Sequence, residues 1–270
     1  MVHNFKIKIR MWIKVNNEPM KRKSIILDSL SLLGRNIWGT LAIVILFYIF
    51  LTLATVAIIY SGMGISKSVT STLPAMSIVV VVGTAVLAGL VQCFADASVV
   101  KYIDERKKGN KIRFIKAIGL AFKRWYRIIG AAIIIGVVSG IAGFLVTLIN
   151  TFIIIYVGSE ATMFSVFLGV IIGLVSIVLT AFIIPGIMID DKKLFEAFKF
   201  NLGLLFKTDG KVILKLLGLI IVAFIIITLS SLLRVIPEVQ MVMVYIIAII
   251  AQIALIFIEV GKVIIYNDFK

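Results

Sequence analysis

The feature that most constrains this chain is a series of six apolar runs, each long enough to cross a lipid bilayer as a helix. A helix needs roughly 20 apolar residues to span a hydrocarbon core of about 30 Å. Only 15% of the residues are charged, whereas soluble domains carry about 25%. The sequence therefore predicts an all-α integral membrane protein with six transmembrane helices, at about Ile37–Tyr60, Ser77–Val100, Ile128–Val157, Met163–Ile189, Val212–Leu233 and Met241–Ile265.

The distribution of Lys and Arg predicts the orientation of these helices. Residues 1–35 hold eight of them, 101–127 ten, 192–215 six and the C-terminal end two, whereas the three short turns hold one, none and one. Because basic loops stay in the cytoplasm, we expect the N-terminus, both long connections and the C-terminus on the cytoplasmic side of the cell membrane. The helices then form three hairpins with outside turns at Ser61–Met76, Val157–Thr162 and Arg234–Gln240.

The net charge of +15 raises the alternative of a nucleic-acid partner. The basic residues occur in short runs between apolar stretches, so membrane topology explains them and no nucleic acid is expected. Residues 1–23 form a basic cytoplasmic segment without the apolar core of a signal peptide, and we expect it to be retained. Residues 24–270 are predicted to form a single transmembrane domain.

Segments of similar design indicate a threefold internal repeat. Aligning one small residue before each hairpin gives steps of 88 and 80 residues, and aligning one aspartate near the end of each hairpin gives steps of 86 and 78. The two sets agree within two residues, which favours a repeated unit. The aligned residues are Ser29, Ala117 and Ala197, then Asp104, Asp190 and Asp268. The repeats cover about 24–105, 112–191 and 192–270.

The segment before each hairpin is predicted to be a cytoplasmic amphipathic helix that lies in the membrane interface. Cations on such a helix can bind anionic lipid headgroups, at about 1 kcal/mol each. The candidates are Lys116, Lys123, Arg124, Arg127, Lys199 and Lys207. The alternatives are that these helices only orient and anchor the bundle, sense curvature, or contact a protein partner or a second copy in a homo-oligomer.

A few polar side chains at membrane depth are candidates for an internal site, since an ionised group there costs a few kcal/mol. Asp96 follows Gln92 by one helical turn, and Glu259 precedes Lys262 by three residues, so the latter pair can neutralise itself. Asp96 has no such neighbour in sequence. It can pair with a lysine near a helix end, stay protonated, bridge helices by a hydrogen bond, or face a polar cavity. Two amides are expected to bridge helices, Asn150 and Gln252.

No catalytic arrangement is visible, and the chain is not expected to be an enzyme. The single cysteine, Cys93, and the single histidine, His3, cannot build a disulfide or a Cys/His metal site. No nucleophile elbow, phosphate-binding loop or histidine triad occurs, so no cofactor is expected. Two functions stay open, beside an intramembrane enzyme as a remainder. One is a non-enzymatic protein that organises the bilayer, binds lipid or scaffolds a partner; the other is a small-solute or ion transporter that uses Asp96 and its polar neighbours.

Two further motifs bear on helix packing. Gly136-x-x-x-Gly140 and Gly169-x-x-x-Gly173 predict close approach of helix backbones. Pro185-Gly186 predicts that the fourth transmembrane helix kinks or ends there.

The segment Pro185–Lys211 has a Pro-Gly helix end, then an acidic pair, a Glu-Ala amphipathic helix and a Lys/Gly turn before the next span. In this order it resembles the membrane domain associated with glycerophosphoryl diester phosphodiesterases and its stand-alone, uncharacterised multi-pass relatives in bacteria and archaea. The resemblance is clearest over 185–235 and weaker around 110–150. It implies the fold only, because the family's activity belongs to a separate soluble domain that this sequence does not show.

Overall fold

In a computed structural model of the chain, the structure describes residues 24–66, 73–156, 162–208, 210–231 and 240–270. All regular structure in these ranges is α-helical. The predicted N-terminal segment 1–23, residues 67–72 of the first predicted turn, and all but the last residue of the second and third predicted turns lie outside the described residues. The first turn is shorter than predicted, because 61–66 and 73–76 are helical. The helices are α1 (Ile25–Ser66), α2 (Leu73–Lys107), α3 (Phe114–Phe122), α4 (Trp125–Tyr156), α5 (Thr162–Thr180), α6 (Ile183–Asp190), α7 (Leu194–Lys207), α8 (Lys211–Ser231) and α9 (Gln240–Phe269).

Six helical stretches in the described part of the chain are long and apolar enough to cross a membrane. This number is the predicted one, and it supports a multi-pass membrane protein. The stretches are Ile25–Val56, Val82–Lys107, Trp125–Ile153, Phe167–Asp190, Lys211–Ser230 and Ile249–Phe269.

The first unit differs from the prediction, because its amphipathic segment is not a separate helix. Helix α1 runs without a break from Ile25 to Ser66. Its backbone stays helical at the expected boundary, where the Thr40 hydroxyl donates to the carbonyl of Ile37 at 2.9 Å. The other two units contain a break: a turn at Lys123–Arg124 separates α3 from α4, and Gly210 follows α7 with φ of 74°. A positive φ favours glycine, so the chain can turn into α8, whose Leu214 N–H donates to the Gly210 carbonyl at 2.9 Å.

The fourth span is broken between α5 and α6, at Ala181 and Phe182. Pro185 accounts for the break, because proline has no N–H for the carbonyl four residues earlier and its ring crowds that carbonyl. The carbonyl belongs to Ala181, where α5 has just ended. The predicted kink is therefore present, one turn before Pro185. Pro185 itself lies in the first turn of α6, where a backbone N–H has no partner within the helix.

Consecutive spans pack against each other: α1 on α2, α4 on α5, and α8 on α9. Helix α9 also packs on α1 and α2, and 56% of its most apolar stretch is buried. In contrast, 0% of the most apolar stretch of α4 is buried inside the bundle. Such uncovered apolar surface is what a helix presents to lipid, since hydrocarbon tails cover it at no cost in hydration.

Many helix ends that carry Lys and Arg meet at one end of the bundle, called here the basic end. It comprises residues 24–36, 101–127, 187–208, 210–215 and 266–270. Lys107 and Lys215 approach the Asp268 carboxylate at 4.0 and 3.7 Å, and Lys270 donates to Asp190 at 2.9 Å. These contacts tie together the ends of α2, α6 and α9 and the start of α8.

Gly39 allows α1 and α2 to approach closely, because a Cβ atom there would overlap the hydroxyl and ring of the buried Tyr102. We expect Gly39→Ala to lower the free energy of unfolding by about 1–3 kcal/mol, since the ring must leave a packed core. The control is Gly34→Ala on the same helix, where an added Cβ meets nothing within 4 Å. It should be neutral or slightly stabilising. Equal effects of the two substitutions on unfolding in mixed micelles would contradict this role of Gly39.

The predicted close approach at Gly136 and Gly140 is not found among the described residues, where a Cβ on either glycine would meet nothing within 4 Å. At Gly169 a Cβ would lie 3.3 Å from Val146 Cγ1, which brings α5 close to α4 there. In the Gly169/Gly173 motif, Gly169 alone therefore allows close helix packing. The Gly136/Gly140 motif lies on an exposed face of α4.

Candidate functional site

Helix α3 is held to the bundle by small residues and by Phe122, whose ring stacks on Phe94 of α2 with centroids 5.0 Å apart, and it exposes part of its large apolar side chains. Ala117 and Ala121 are both 0% exposed, whereas Ile115 and Phe122 are 67% and 52% exposed. Ile115 and Phe122 are seven residues apart and so lie on one face of the helix. Two lysines beside this face are exposed, Lys116 and Lys123.

Helix α7 has the same arrangement. Ala197 is buried, and it lies 3.2 Å from the position that a Cβ on Gly186 of α6 would occupy, so the two helices approach closely. Phe195 and Phe206 are 78% and 76% exposed. They are eleven residues apart, close to three full turns, and therefore share a face. Two lysines of this helix are exposed, Lys199 and Lys207.

Four of the six basic residues predicted to face lipid are therefore exposed next to exposed apolar side chains. A helix that faces water turns its large apolar side chains inward. A helix in the membrane interface instead places them toward the acyl chains and its cations at the headgroups. The exposed large apolar side chains of α3 and α7 do not fit a helix that faces water.

The other two predicted cations, Arg124 and Arg127, have partners inside the protein. Arg124 Nη1 donates to the carbonyls of Ile187 at 2.5 Å and Met188 at 2.9 Å. Both arginines contact the Asp191 carboxylate, Arg124 through Nε at 3.1 Å and Arg127 through Nη1 at 2.6 Å. Carbonyls in the last turn of a helix have no partner within it, so Arg124 caps the end of α6. Their binding to lipid stays a prediction.

Asn201 is a functional candidate that the sequence reasoning missed. It lies on the buried face of α7 and is 0% exposed. Its Oδ1 accepts from the Phe182 N–H at 2.9 Å, and its Nδ2 donates to the Leu179 carbonyl at 2.6 Å. Leu179 lies in the last turn of α5 and Phe182 in the break itself. One amide thus binds two backbone groups at the break, and it couples α7 to the broken span.

Asp96 and the Glu259–Lys262 pair, predicted separately, lie together between α2 and α9. Gln92 Nε2 donates to Asp96 Oδ1 at 2.7 Å, and Lys262 Nζ donates to Glu259 Oε1 at 2.5 Å, the pairing expected from their spacing. Asp96 interacts electrostatically with both Glu259 and Lys262. The side chains of Glu259 and Lys262 are only 10% and 14% exposed. We call these four residues the polar cluster.

The helix register explains this meeting. Lys107 of α2 approaches Asp268 of α9 at 4.0 Å. Asp96 precedes Lys107 by eleven residues and Glu259 precedes Asp268 by nine, so a rise of about 1.5 Å per residue places both carboxylates at similar depth.

Of the two amides predicted to bridge helices, Gln252 does so: its Nε2 donates to the Tyr48 hydroxyl of α1 at 2.6 Å. Gln252 lies two turns before Glu259 on the same face of α9, and it therefore extends the polar strip of that helix. Asn150 lies apart on α4, and its buried Oδ1 has no hydrogen-bond partner among the described residues. Five of the six predicted intramembrane polar residues are thus on α2 or α9.

No group of three or more His, Cys, Asp or Glu residues in the described ranges could hold a metal ion. A groove of about 330 Å³ lies along α1. Its lining residues repeat at helical spacing on one face of this single helix, so the groove is a surface trough. They are Ile45, Tyr48, Ile49, Thr52 and Leu53.

Comparison of the chain with protein families, with curated proteins and with solved structures gives no match. The resemblance to the membrane domain of glycerophosphoryl diester phosphodiesterases therefore stays a proposal about the fold. Function has to be argued from the site itself.

Proposed function

We propose that this chain is a non-enzymatic, multi-pass protein of the cell membrane that binds anionic lipid headgroups through α3 and α7. Its role is to organise the bilayer at this surface or to hold a partner there. The observation that carries the proposal is the same on both helices: exposed lysines stand beside exposed, large apolar side chains. The lysines are Lys116, Lys123, Lys199 and Lys207, and the apolar residues are Ile115, Phe122, Phe195 and Phe206.

In this proposal the basic end faces the cytoplasm, because loops rich in Lys and Arg are retained there. The C-terminal Lys270 contacts Asp190 at this end, which supports a cytoplasmic C-terminus, and α1 begins at the same end. The cytoplasmic leaflet carries the anionic lipids, which attract a nearby Lys by about 1 kcal/mol. A cytoplasmic basic end would thus place the lysines of α3 and α7 beside the leaflet that carries anionic lipids.

We further propose that three copies of one unit, a surface segment followed by a hairpin, build the bundle. Burial repeats with the sequence alignment: Ser29, Ala117 and Ala197 are each 0% exposed. Two residues earlier, each unit exposes a large apolar side chain. These are Leu27, Ile115 and Phe195, at 60%, 67% and 78% exposure. In the first unit the surface segment is the start of α1.

Replacing Lys116, Lys123, Lys199 and Lys207 by Gln should weaken binding of anionic lipid by at least about tenfold, because a loss of only about 1.4 of the roughly 4 kcal/mol that four lysines supply already gives that factor. The measurement is the affinity of the purified protein for a fluorescent anionic lipid in zwitterionic nanodiscs, at two salt concentrations. Added salt should weaken binding by the wild type and have little effect on the variant.

The matched control replaces the same four lysines by Arg, which keeps the charge, and it should bind as the wild type does. If the Gln variant loses stability equally in zwitterionic and anionic bilayers while its lipid affinity is unchanged, the helices only anchor the bundle. That result would remove the lipid-binding proposal.

A second candidate function, transport of a small solute or ion, is favoured by the polar cluster between α2 and α9. Its test is flux into proteoliposomes with the wild type and with Asp96→Asn. Flux that Asp96→Asn abolishes would support transport. A protein without flux, or an Asp96→Asn variant with unchanged flux, would remove this candidate.

A further inference from the structure

The polar cluster contains two carboxylates and one ammonium group at membrane depth. Fully ionised, Asp96, Glu259 and Lys262 sum to one negative charge. An uncompensated charge is strongly disfavoured in a medium of low dielectric constant. Glu259 and Lys262 already form a hydrogen-bonded ion pair at 2.5 Å. The excess charge therefore belongs to Asp96, and one bound proton removes it.

We infer that the polar cluster is a binding site for a single proton, which Asp96 carries beside the Glu259–Lys262 pair. Gln92 suits this role, because its amide can donate to a carboxylate or, after rotation, accept from a carboxylic acid. Its observed bond to Asp96 Oδ1, at 2.7 Å, is the first of these. The site does not depend on lipid binding at the basic end.

Apart from Glu259 and Lys262, the charged groups on the helices that pack on α2 lie at the basic end; on α1 these are Asp28 and Arg35. Cys93, one turn before Asp96, is buried and lies near the same charges. Helix α1 packs on α2 and carries the Tyr48 hydroxyl, which accepts a hydrogen bond from Gln252. The described cations and acids of α3, α4 and α6 belong to the basic end, where Arg127 binds Asp191 and Lys270 binds Asp190. Glu259 and Lys262 on α9 are thus the charged groups nearest to Asp96.

Infrared difference spectroscopy of the protein in nanodiscs at neutral pH tests the site, since a carboxylic acid absorbs apart from a carboxylate and shifts in deuterated water. Asp96→Asn should lose one carboxylic-acid equivalent relative to the wild type, because the neutral Glu259–Lys262 pair remains. Glu259→Gln should lose the same signal, because Asp96 then pairs with Lys262. Lys262→Met should gain one equivalent, because two carboxylates must then be neutralised by protons.

The control is Asp268→Asn at the basic end, where the side chain is 45% exposed, and its carboxylic-acid signal should equal that of the wild type. Each variant is first checked for folding by size-exclusion chromatography, and Glu259→Gln replaces Asp96→Asn if the latter does not fold. An unchanged signal in the variant that removes a carboxyl group, or no gain in Lys262→Met, would overturn the proton site.

Discussion

Replacing Asn201 by leucine should lower the free energy of unfolding by about 2–5 kcal/mol, because it leaves two buried backbone groups unpaired at about 1–3 kcal/mol each. These groups are the Phe182 N–H and the Leu179 carbonyl, which the Asn201 amide binds at 2.9 and 2.6 Å. Leucine has a similar volume, so the loss measures the hydrogen bonds more than a cavity. The measurement is unfolding in mixed micelles, followed by circular dichroism.

Asn267→Leu is the matched control, since Asn267 Nδ2 donates to the Val263 carbonyl within the same helix, at 3.0 Å. That carbonyl lies one turn earlier in α9, so losing the extra donor should cost well below 1 kcal/mol. Hydrogen exchange over residues 179–183 gives a local readout and should accelerate in Asn201→Leu alone. If both variants unfold alike and exchange is unchanged, Asn201 does not hold the broken span.

The spans could be predicted from the sequence because crossing a bilayer requires a long apolar run, which composition alone reveals. The break in the fourth span was also signalled, by Pro185, although it lies one turn earlier because proline acts on the carbonyl of Ala181. The start of α1 could not be placed from the pattern. The surface segment and the first span form one continuous helix, because no proline or turn interrupts the backbone after Ile25.

The candidate site was predictable only in its parts. Asp96 and Glu259 stand out in the sequence as ionisable residues in apolar runs. Whether they lie close together depends on the register of α2 against α9, which a single sequence does not reveal. Asn201 did carry a signal: it lies four residues after Ala197 and four before Leu205, on the buried face of an amphipathic helix. A buried amide needs hydrogen-bond partners. The helix break near Pro185 supplies them as backbone N–H and C=O groups.

Arg124→Gln should lower the free energy of unfolding by about 2–4 kcal/mol, because hydrogen bonds from a charged donor contribute about 1.5–3 kcal/mol and the ion pair adds to them. The Arg124 side chain is 23% exposed, and its guanidinium binds the carbonyls of Ile187 and Met188 and the carboxylate of Asp191. A cation at the C-terminal end of α6 also favours the helix dipole. Unfolding in mixed micelles measures the loss.

Two further variants separate the contributions of Arg124. Arg124→Lys keeps the charge but lacks the planar fork that reaches both carbonyls, so its loss should be intermediate. Asp191→Asn leaves the carbonyl cap and removes the ion pairs of Asp191 with both Arg124 and Arg127. Because the Asp191 side chain is 62% exposed, we expect a loss below about 1 kcal/mol. If Asp191→Asn costs as much as Arg124→Gln, the ion pair and not the carbonyl cap holds α6. The basic turn between α3 and α4 would then stabilise the broken span by charge alone, and Arg124→Lys should retain full stability.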